Sequence, residues 1–520
     1  MRPIRSLPLL AVALFLAACG EPAQVVSTPV ARGPVEVTLL YTSDEHGWIA
    51  PQLDQGKARG GAADLLARLI RDEAHCPFLG DAQRCQDART VLLSGGDNYT
   101  GPAISTYFGG APMAEAMAAM GYAASAFGNH ELDFGRAQFV ENRARARLTY
   151  VAANVRVTDP ALTKEMSLPS FVLIERRGVK IGVVGMATEE TLTSAMASRF
   201  EGVAIDAAEA SLQRAVPEAW AAGADAVVLV AHECPSKLLG MLDLHPSWQL
   251  SFVFGAHCHR VEELRAAGVP GVPVVSPGWR LENYLRLKLT IDPARERHAR
   301  VLGAEHRIVP VEHEARDGAV DAAQAERTAA WQDKLDRALG EEIGFAAEGL
   351  DKDGAPLARW LTTALREELR TDVALLNTGG IRQSLPKGPI TKAALWSILP
   401  FDNKLMIVRV TGKDLITDLE TEEATFAGVT KQGEAYVMED GSPLDPGRIY
   451  SVATIDYLYF GGSKFRLQAQ DRAPKETGID WRAPIIAWTT RQRTTVSAPL
   501  EDRLRALVSG GTSPKPRAHP

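Results

Sequence analysis

Five short loops, each placed directly after an apolar run that reads as a strand, carry Asp44-Glu45-His46, Gly96-Asp97-Asn98, Gly128-Asn129-His130-Glu131, His232-Glu233 and Gly255-Ala256-His257-Cys258-His259. A single loop carboxylate beside a histidine is more often a solvated turn or a helix cap than a ligand. Five in this order supply donors for two divalent cations, which requires the strand ends that bear them to converge. The runs concerned are Val35 to Tyr41, Val91 to Leu93, Ala123 to Phe127, Ala226 to Ala231 and Leu250 to Phe254. Helical patterns lie between them at Ala62 to Ala74, Met113 to Met120 and Ala207 to Ala222. Phe171 to Glu175 and Val179 to Met186, joined at Arg177-Gly178, read as a hairpin, and Glu282 to Ile291 alternates as a later strand. This mixture is α/β in class, with a rigid scaffold of apolar runs and chemistry in the loops.

The N-terminus indicates where that chemistry takes place. Arg2 and Arg5 precede the apolar stretch Leu7 to Ala18, and Leu16-Ala17-Ala18 leads directly to Cys19, which is a secretory signal rather than structure. The stretch is too short to span a bilayer. Leu-Ala-Ala-Cys resembles a bacterial lipobox, which implies cleavage before Cys19 and diacylation of its sulfur. The mature protein is then exported and held at a membrane by lipid alone, as a periplasmic, outer-membrane or other cell-envelope lipoprotein. Ordinary signal cleavage, with Cys19 incidental, is the alternative. Gly20 to Gly33 forms a polar tether.

A chain of 520 residues exceeds what one core usually serves, so two domains are expected. A hydrophobic content of 46% and a formal charge of −7 suit an ordinary globular protein and leave no basic surface for duplex nucleic acid. Nothing marks an obligate protein partner. Export permits disulfides: Cys76 and Cys85 share one segment and are expected to pair. Cys234 and Cys258 each lie within two residues of a candidate ligand histidine, and could bridge neighbouring strand ends or bind metal.

From Val311 to Leu339 the chain turns charged and Ala-rich, and Glu312 to Arg337, with no strand signal, reads as a connecting helix. A second α/β unit follows, with helices at Pro356 to Leu369, Thr391 to Ile398 and Lys413 to Glu422, and strands at Val373 to Leu376, Lys404 to Val410 and Ile449 to Ile455. The expected organisation is a signal over 1–18, a tether over 19–34, a metal-bearing domain over 35–310, a linker helix over 311–340, a second domain over 341–508 and a disordered tail over 509–520.

Two cations held close together need an anion between them to offset their repulsion, and Asp97 is the candidate bridge. Asp44 and His46, at i and i+2 after a strand, can point the same way toward one ion, with His259 completing that site. Asn129, His232 and His257 would hold the second. Mixed nitrogen and oxygen donors suit zinc, manganese, cobalt or iron better than calcium. His130, next to ligand Asn129, would face the substrate, with Asp133 holding its other ring nitrogen and favouring its protonated form. Glu45, Glu131 and Glu233 read as supporting loop groups.

The ordered set Asp44/His46, Asp97, Asn129/His130, His232 and His257/His259 resembles the metallophosphoesterase superfamily, and within it the 5′-nucleotidase family that includes bacterial UDP-sugar hydrolases. Leu376-Asn377-Thr378-Gly379-Gly380-Ile381-Arg382, Gly388-Pro389-Ile390-Thr391 and Leu399-Pro400-Phe401-Asp402-Asn403 resemble that family's C-terminal substrate domain, so the likeness covers nearly the whole chain. It implies a four-layer αββα sandwich carrying two metals, plus a smaller C-terminal α/β domain that closes over them by rotation. It also implies attack on phosphorus by a hydroxide bridging the metals, with His130 and the metals carrying developing charge and Arg382 binding the anionic part of the substrate. Asn377, Gly380, Phe401 and Tyr457 are the further substrate contacts it implies.

Departures from the family pattern lie in the substrate domain. Members that hold nucleosides stack the base between two aromatics; here those positions read Leu405 and Tyr457. Ser463 stands where an acid that holds ribose hydroxyls is expected, and a second arginine before the Pro356 helix is replaced by Lys352. The expected activity is hydrolysis of nucleotides or related organic phosphates. The alternatives are a 2′,3′-cyclic nucleotide phosphodiesterase with 3′-nucleotidase action, a nucleotide-sugar hydrolase, a thiosulfohydrolase of the same fold, or a lipoprotein that binds nucleotides without turnover.

Overall fold

The structure, a computed structural model, describes residues 33–54, 57–77, 88–267, 271–314 and 320–509. The signal, Cys19, most of the tether, Cys85 and the tail beyond residue 509 lie outside the described residues.

Two six-stranded sheets face each other. One has the spatial order Val301–Pro310, Asn283–Ile291, Val35–Thr42, Thr90–Ser94, Tyr122–Ala126, Thr149–Val151; the other runs Val261–Arg265, Pro273–Pro277, Phe252–Phe254, Ala226–Ala231, Val179–Met186, Phe171–Arg176. Val35–Thr42 shows how the pattern sets the layers. Alternate residues Val37, Leu39 and Tyr41 turn toward the opposite sheet and meet Val228, Phe252 and Phe254, while Leu40 turns outward to the helices. The Tyr41 and Phe254 rings lie 4.6 Å apart across this seam.

Leu65, Leu66 and Leu69 of the helix Ala62–Glu73, with Met113 and Met117 of Ala111–Met120, cover the first sheet. Leu212, Val216 and Trp220 of Ala208–Ala221 and Leu238 of Pro235–Leu244 cover the second. These positions recur at three- and four-residue spacing, and burying each such side chain stabilises the fold by roughly 1.5–3 kcal/mol. The result is four layers, helix–sheet–sheet–helix.

A five-stranded sheet forms a separate core further along the chain, in the order Ala424–Ala427, Val373–Asn377, Ile449–Ile455, Lys404–Thr411, Lys475–Asp480. Leu357, Trp360 and Leu361 of the helix Ala355–Leu369 pack on Leu375, Val408 and Val452. Among the described residues no helix is long and apolar enough to cross a membrane.

One expectation is corrected. Glu312 to Arg337 is not free of strand: Glu312–Glu314 pairs antiparallel with Lys57–Arg59, and among the described residues of this stretch the helix is Ala322–Leu339, capped by the Asp321 carboxylate accepting from the Gln324 amide. Three residues are too few for alternation to register in a sequence.

The parallel pairings matter most for function. Val35–Thr42, Thr90–Ser94 and Tyr122–Ala126 are adjacent and parallel, as are Ala226–Ala231 and Phe252–Phe254. All five motif loops therefore leave the C-terminal ends of strands, where open α/β sheets place their ligands.

Candidate metal centre

The loops that follow these strands run through backbone conformations that ordinary residues avoid. Asp44 (φ +50°), His46 (+44°), Asp97 (+58°), His257 (+69°) and His259 (+56°) all lie in the left-handed region. Each such residue costs of order 1–3 kcal/mol and persists only where its surroundings over-determine it. Glycine allows the loops to meet: a Cβ on Gly128 would lie 2.3 Å from the Asp97 backbone nitrogen, and one on Gly96 2.7 Å from the Gly128 nitrogen.

A buried polar network holds these loops from beneath. The Glu45 carboxylate accepts from Thr42 Oγ1 (2.5 Å), Ser94 Oγ (2.9 Å) and Asn98 Nδ2 (2.7 Å). Glu131 accepts from the Asn98 amide (3.3 Å) and from the Tyr150 hydroxyl (3.1 Å), and Glu233 accepts from Thr188 Oγ1 (2.7 Å) and the Cys234 amide (2.9 Å). All three acids are buried and brace the loops rather than project into solvent.

All seven sequence-nominated ligands come together above this network. Donor atoms of Asp44, His46, Asp97 and His259 lie within 4.8 Å of one another, and so do those of Asp97, His232 and His257. Asp97 belongs to both groups through one oxygen: its Oδ2 is 3.7 Å from His46 Nε2 and 3.3 Å from His232 Nε2, while Oδ1 accepts from the His130 amide at 2.8 Å. Asn129 Oδ1 is 3.0 Å from His232 Nε2.

Tautomers test whether a cation suits this arrangement. His46 Nδ1 is 2.7 Å from the Thr100 carbonyl and His232 Nδ1 is 2.8 Å from that of Gly95. A carbonyl can only accept, so both rings carry hydrogen on Nδ1 and present the Nε2 lone pair inward. His46 Nε2 then faces His259 Nε2 at 3.0 Å, and His232 Nε2 faces two oxygens. At His232 an acceptor is aimed at acceptors, which calls for a positive charge between them. Burial works against a proton on His232, but the Asp97 carboxylate outweighs it and lifts the ring to about 10, which expresses the same demand. The donor set fits two borderline divalent ions.

His130 Nδ1 lies 2.9 Å from Asp133 Oδ2. Burial opposes its protonation, yet Asp133 and Asp97 raise its pKa above the ordinary imidazole value. The ring borders a cavity of about 360 Å³ between the sandwich and the second core, which Arg382, Phe401, Asn377, Gly380 and Tyr457 also line. Phe401 stacks on His130 with centroids 5.3 Å apart, and Arg382 Nη2 approaches His46 Nε2 to 3.5 Å. Leu405 is wholly buried in the second core, away from the cavity. Lys352 pairs with Asp353 and is not among the lining residues.

The structure adds residues that the motifs did not reveal. Trp279 stacks on His259 at 4.5 Å and 13°, and Arg280 lies over Trp279 at 3.4 Å while donating toward the Arg382 carbonyl at 3.4 Å. Glu190, Thr193, Arg199, Glu423 and Lys464 line the cavity from turns and one-turn helices too short to leave a pattern in the sequence. Tyr457 donates its hydroxyl to the Thr193 carbonyl at 3.0 Å, and Ser463 donates to Glu423 at 2.6 Å. Cys234 and Cys258 form a disulfide. Cys76 is also disulfide-bonded, and Cys85, its expected partner, lies outside the described residues.

Comparison with known proteins agrees with this geometry. The 5′-nucleotidase C-terminal domain matches residues 337–436. Protein UshA of Yersinia enterocolitica is 23% identical over 83% of this chain and 86% of its own. Endonuclease YhcR of Bacillus subtilis is 23% identical over 82% of this chain, which spans only 37% of that longer protein. The crystal structure of a 5′-nucleotidase precursor from Thermus thermophilus superposes with a TM-score of 0.76 at 21% identity, covering 89% of this chain and 97% of that one. The chain has the fold of this 5′-nucleotidase precursor.

Proposed function

We propose that this chain, built on the 5′-nucleotidase fold, is an exported, lipid-anchored dimetal phosphoesterase that hydrolyses nucleotides or related organic phosphates. The observation that carries the reading is the convergence of two donor groups on the single Asp97 Oδ2, at the floor of a cavity that also receives His130 and Arg382. Asp44, His46, Asp97 and His259 would hold one ion, and Asp97, Asn129, His232 and His257 the other. When bound, two such ions supply Lewis acidity that activates water and neutralises phosphoryl oxygens. Zinc, manganese, cobalt and iron all suit the donors.

The chain's own residues divide the remaining work. Asp133 keeps a proton on His130 Nδ1 and fixes the ring against the cavity, where a cationic imidazole stabilises charge building on phosphoryl oxygens. Arg382 offers a planar donor fork to the substrate's anionic part. Its half-buried position on the cavity wall strengthens that charge, because fewer waters screen it than at the open surface. Phe401 covers His130 and excludes solvent from one side. We read 35–310 as the metal-bearing unit, 311–340 as the linker and 341–508 as the substrate unit.

One observation favours organic phosphates beyond nucleoside monophosphates. Leu405, at one of the two positions where a stacking aromatic is expected, is buried in the second core, so of that pair only Tyr457 borders the cavity. It offers acceptors instead: the Glu423 carboxylate beside Ser463, and Asn377 Oδ1, which is buried without a hydrogen-bond partner. Such a wall suits a hydroxyl-bearing leaving group, whether ribose or another polyol.

The test is phosphate release across 5′-, 3′- and 2′,3′-cyclic nucleotides, a nucleotide sugar, a polyol phosphate and an aryl phosphate, with added manganese, zinc or cobalt and after chelation. Release that chelation abolishes and metal restores supports the reading. Absence of release with every metal would favour a binding lipoprotein. Lipid attachment is tested separately, by radiolabelled fatty acid incorporation into the wild type and its loss in Cys19→Ala.

A further inference from the structure

Candidate ligands from the second sheet hang on two adjacent loops that are covalently joined. Cys234 stands two residues after His232, and Cys258 stands between His257 and His259; their Cα atoms are 5.3 Å apart and their sulfurs are bonded. The loops leave neighbouring parallel strands, Ala226–Ala231 and Phe252–Phe254, and a hydrogen bond from the Ala256 amide to the Glu233 carbonyl at 3.0 Å also joins them.

Both histidines flanking Cys258 hold left-handed backbone, at φ +69° and +56°. Non-glycine residues keep that conformation only under constraint from outside the loop. His257 receives part of it by donating its amide to the Asp44 carboxylate at 3.0 and 3.1 Å. His259 is held through its ring, stacked on Trp279. The residue between them is anchored by its side chain, so a bond at Cys258 restrains both histidines at once. His259 belongs to one donor group and His257 to the other.

We propose that the Cys234–Cys258 disulfide is a positioning clasp for His257 and His259, so that retention of the metal pair depends on the thiol redox state of this bond. The proposal rests on the dimetal reading of the site. Reduction by a trialkylphosphine balances as cleavage of the S–S bond to two S–H groups, with the phosphine oxidised to its oxide and water supplying the oxygen and both protons. Freed of the clasp, the loop between residues 255 and 259 relaxes from its left-handed backbone and the two imidazoles lose their shared aim.

The experiment uses the full chain stripped of metal and titrated with cobalt(II), whose visible absorption reports ligand geometry independently of activity. Three samples are compared: oxidised wild type, wild type reduced with a trialkylphosphine that is then removed under argon, and the Cys234→Ala/Cys258→Ala variant. The oxidised protein should bind two cobalt ions. The reduced protein and the variant should bind at least about 10-fold more weakly, the range in which orienting partners of metal ligands act, and with an altered visible spectrum. Phosphine should not change the variant further, which sets aside any effect through Cys76. Equal affinity and an identical spectrum in all three samples would overturn the clasp while leaving the dimetal site standing. No cobalt binding even by the oxidised wild type would overturn the dimetal reading, and the clasp with it. Should the variant not fold, the oxidised and reduced wild type, matched by near-ultraviolet circular dichroism, decide the question by the same criterion.

Discussion

Phe401, from the second unit, stacks on His130, from the first, with ring centroids 5.3 Å apart and planes inclined by 27°. The same phenyl ring lies 5.8 Å from the Arg382 guanidinium. One apolar side chain thus covers two cationic groups at the cavity and ties the units together. A stacked pair of this kind is worth about 0.5–1.5 kcal/mol beyond its buried area. Phe401→Ala is expected to lower kcat/KM by about 10-fold, with metal content per chain unchanged. Steady-state kinetics with elemental analysis on the same preparation checks this, and loss of metal would mean that the ring's role is structural.

Arg382 is half-buried at the cavity, and Arg280 donates to its carbonyl. Removing one partner of a charge pair that bound substrate covers costs about 2–4 kcal/mol, so Arg382→Ala should lower kcat/KM by about 30- to 1000-fold, chiefly through KM, while two metals remain. Arg382→Lys should recover only part of the loss, because an ammonium lacks the planar fork. A fall in kcat alone, at unchanged KM, would contradict a substrate-binding role.

The convergence of the candidate ligands is legible in the sequence because each one sits within five residues of a strong apolar run, which fixes the strand and hence the loop. Other features leave no such trace. Val301–Pro310 is an edge strand whose residues are all half-buried or exposed, so its alternation is shallow. The left-handed backbone at Asp44, Asp97 and His257 has only a weak residue-type signature, since aspartate and histidine enter it more often than most residues but glycine, its usual marker, is absent there. Trp279 and Glu423 gain their positions only through tertiary packing; each stands in a loop where an aromatic or an acid is commonplace. Leu405 departs from the family pattern, and the structure supplies the reason: it faces the second core.

Asp418 gives a pH dependence remote from the metals. It sits near the C-terminal end of the helix Gly412–Leu419, accepts from Gln470 at 3.3 Å, and leaves Oδ2 buried without a partner. Burial lifts its carboxyl to about 6, and Asp414 adds to the rise. A folded-state pKa above the unfolded value favours the fold below about pH 4, an advantage lost as pH climbs through 6. At pH 8 the penalty is on the order of 3 kcal/mol. Asp418→Asn should therefore raise Tm by several degrees, roughly 2–4 °C per kcal/mol, at pH 8 and leave it unchanged near pH 4. Equal shifts at both pH values would show that charge is not the cause.

Asp97→Asn isolates the bridging charge. Asparagine tolerates the left-handed backbone at this position as well as any non-glycine residue, and its amide oxygen can still accept from the His130 amide, so the loop keeps its path. What disappears is the anion whose Oδ2 lies between His46 and His232. With no carboxylate to offset the repulsion of two divalent ions, the second should leave. The variant should hold at most one metal per chain after desalting and lose about 10³-fold in rate, with an unchanged far-ultraviolet spectrum. Two tightly held ions and an undiminished rate in this variant would show that the paired cations do not depend on Asp97, and the arrangement proposed for the site would fail at its centre.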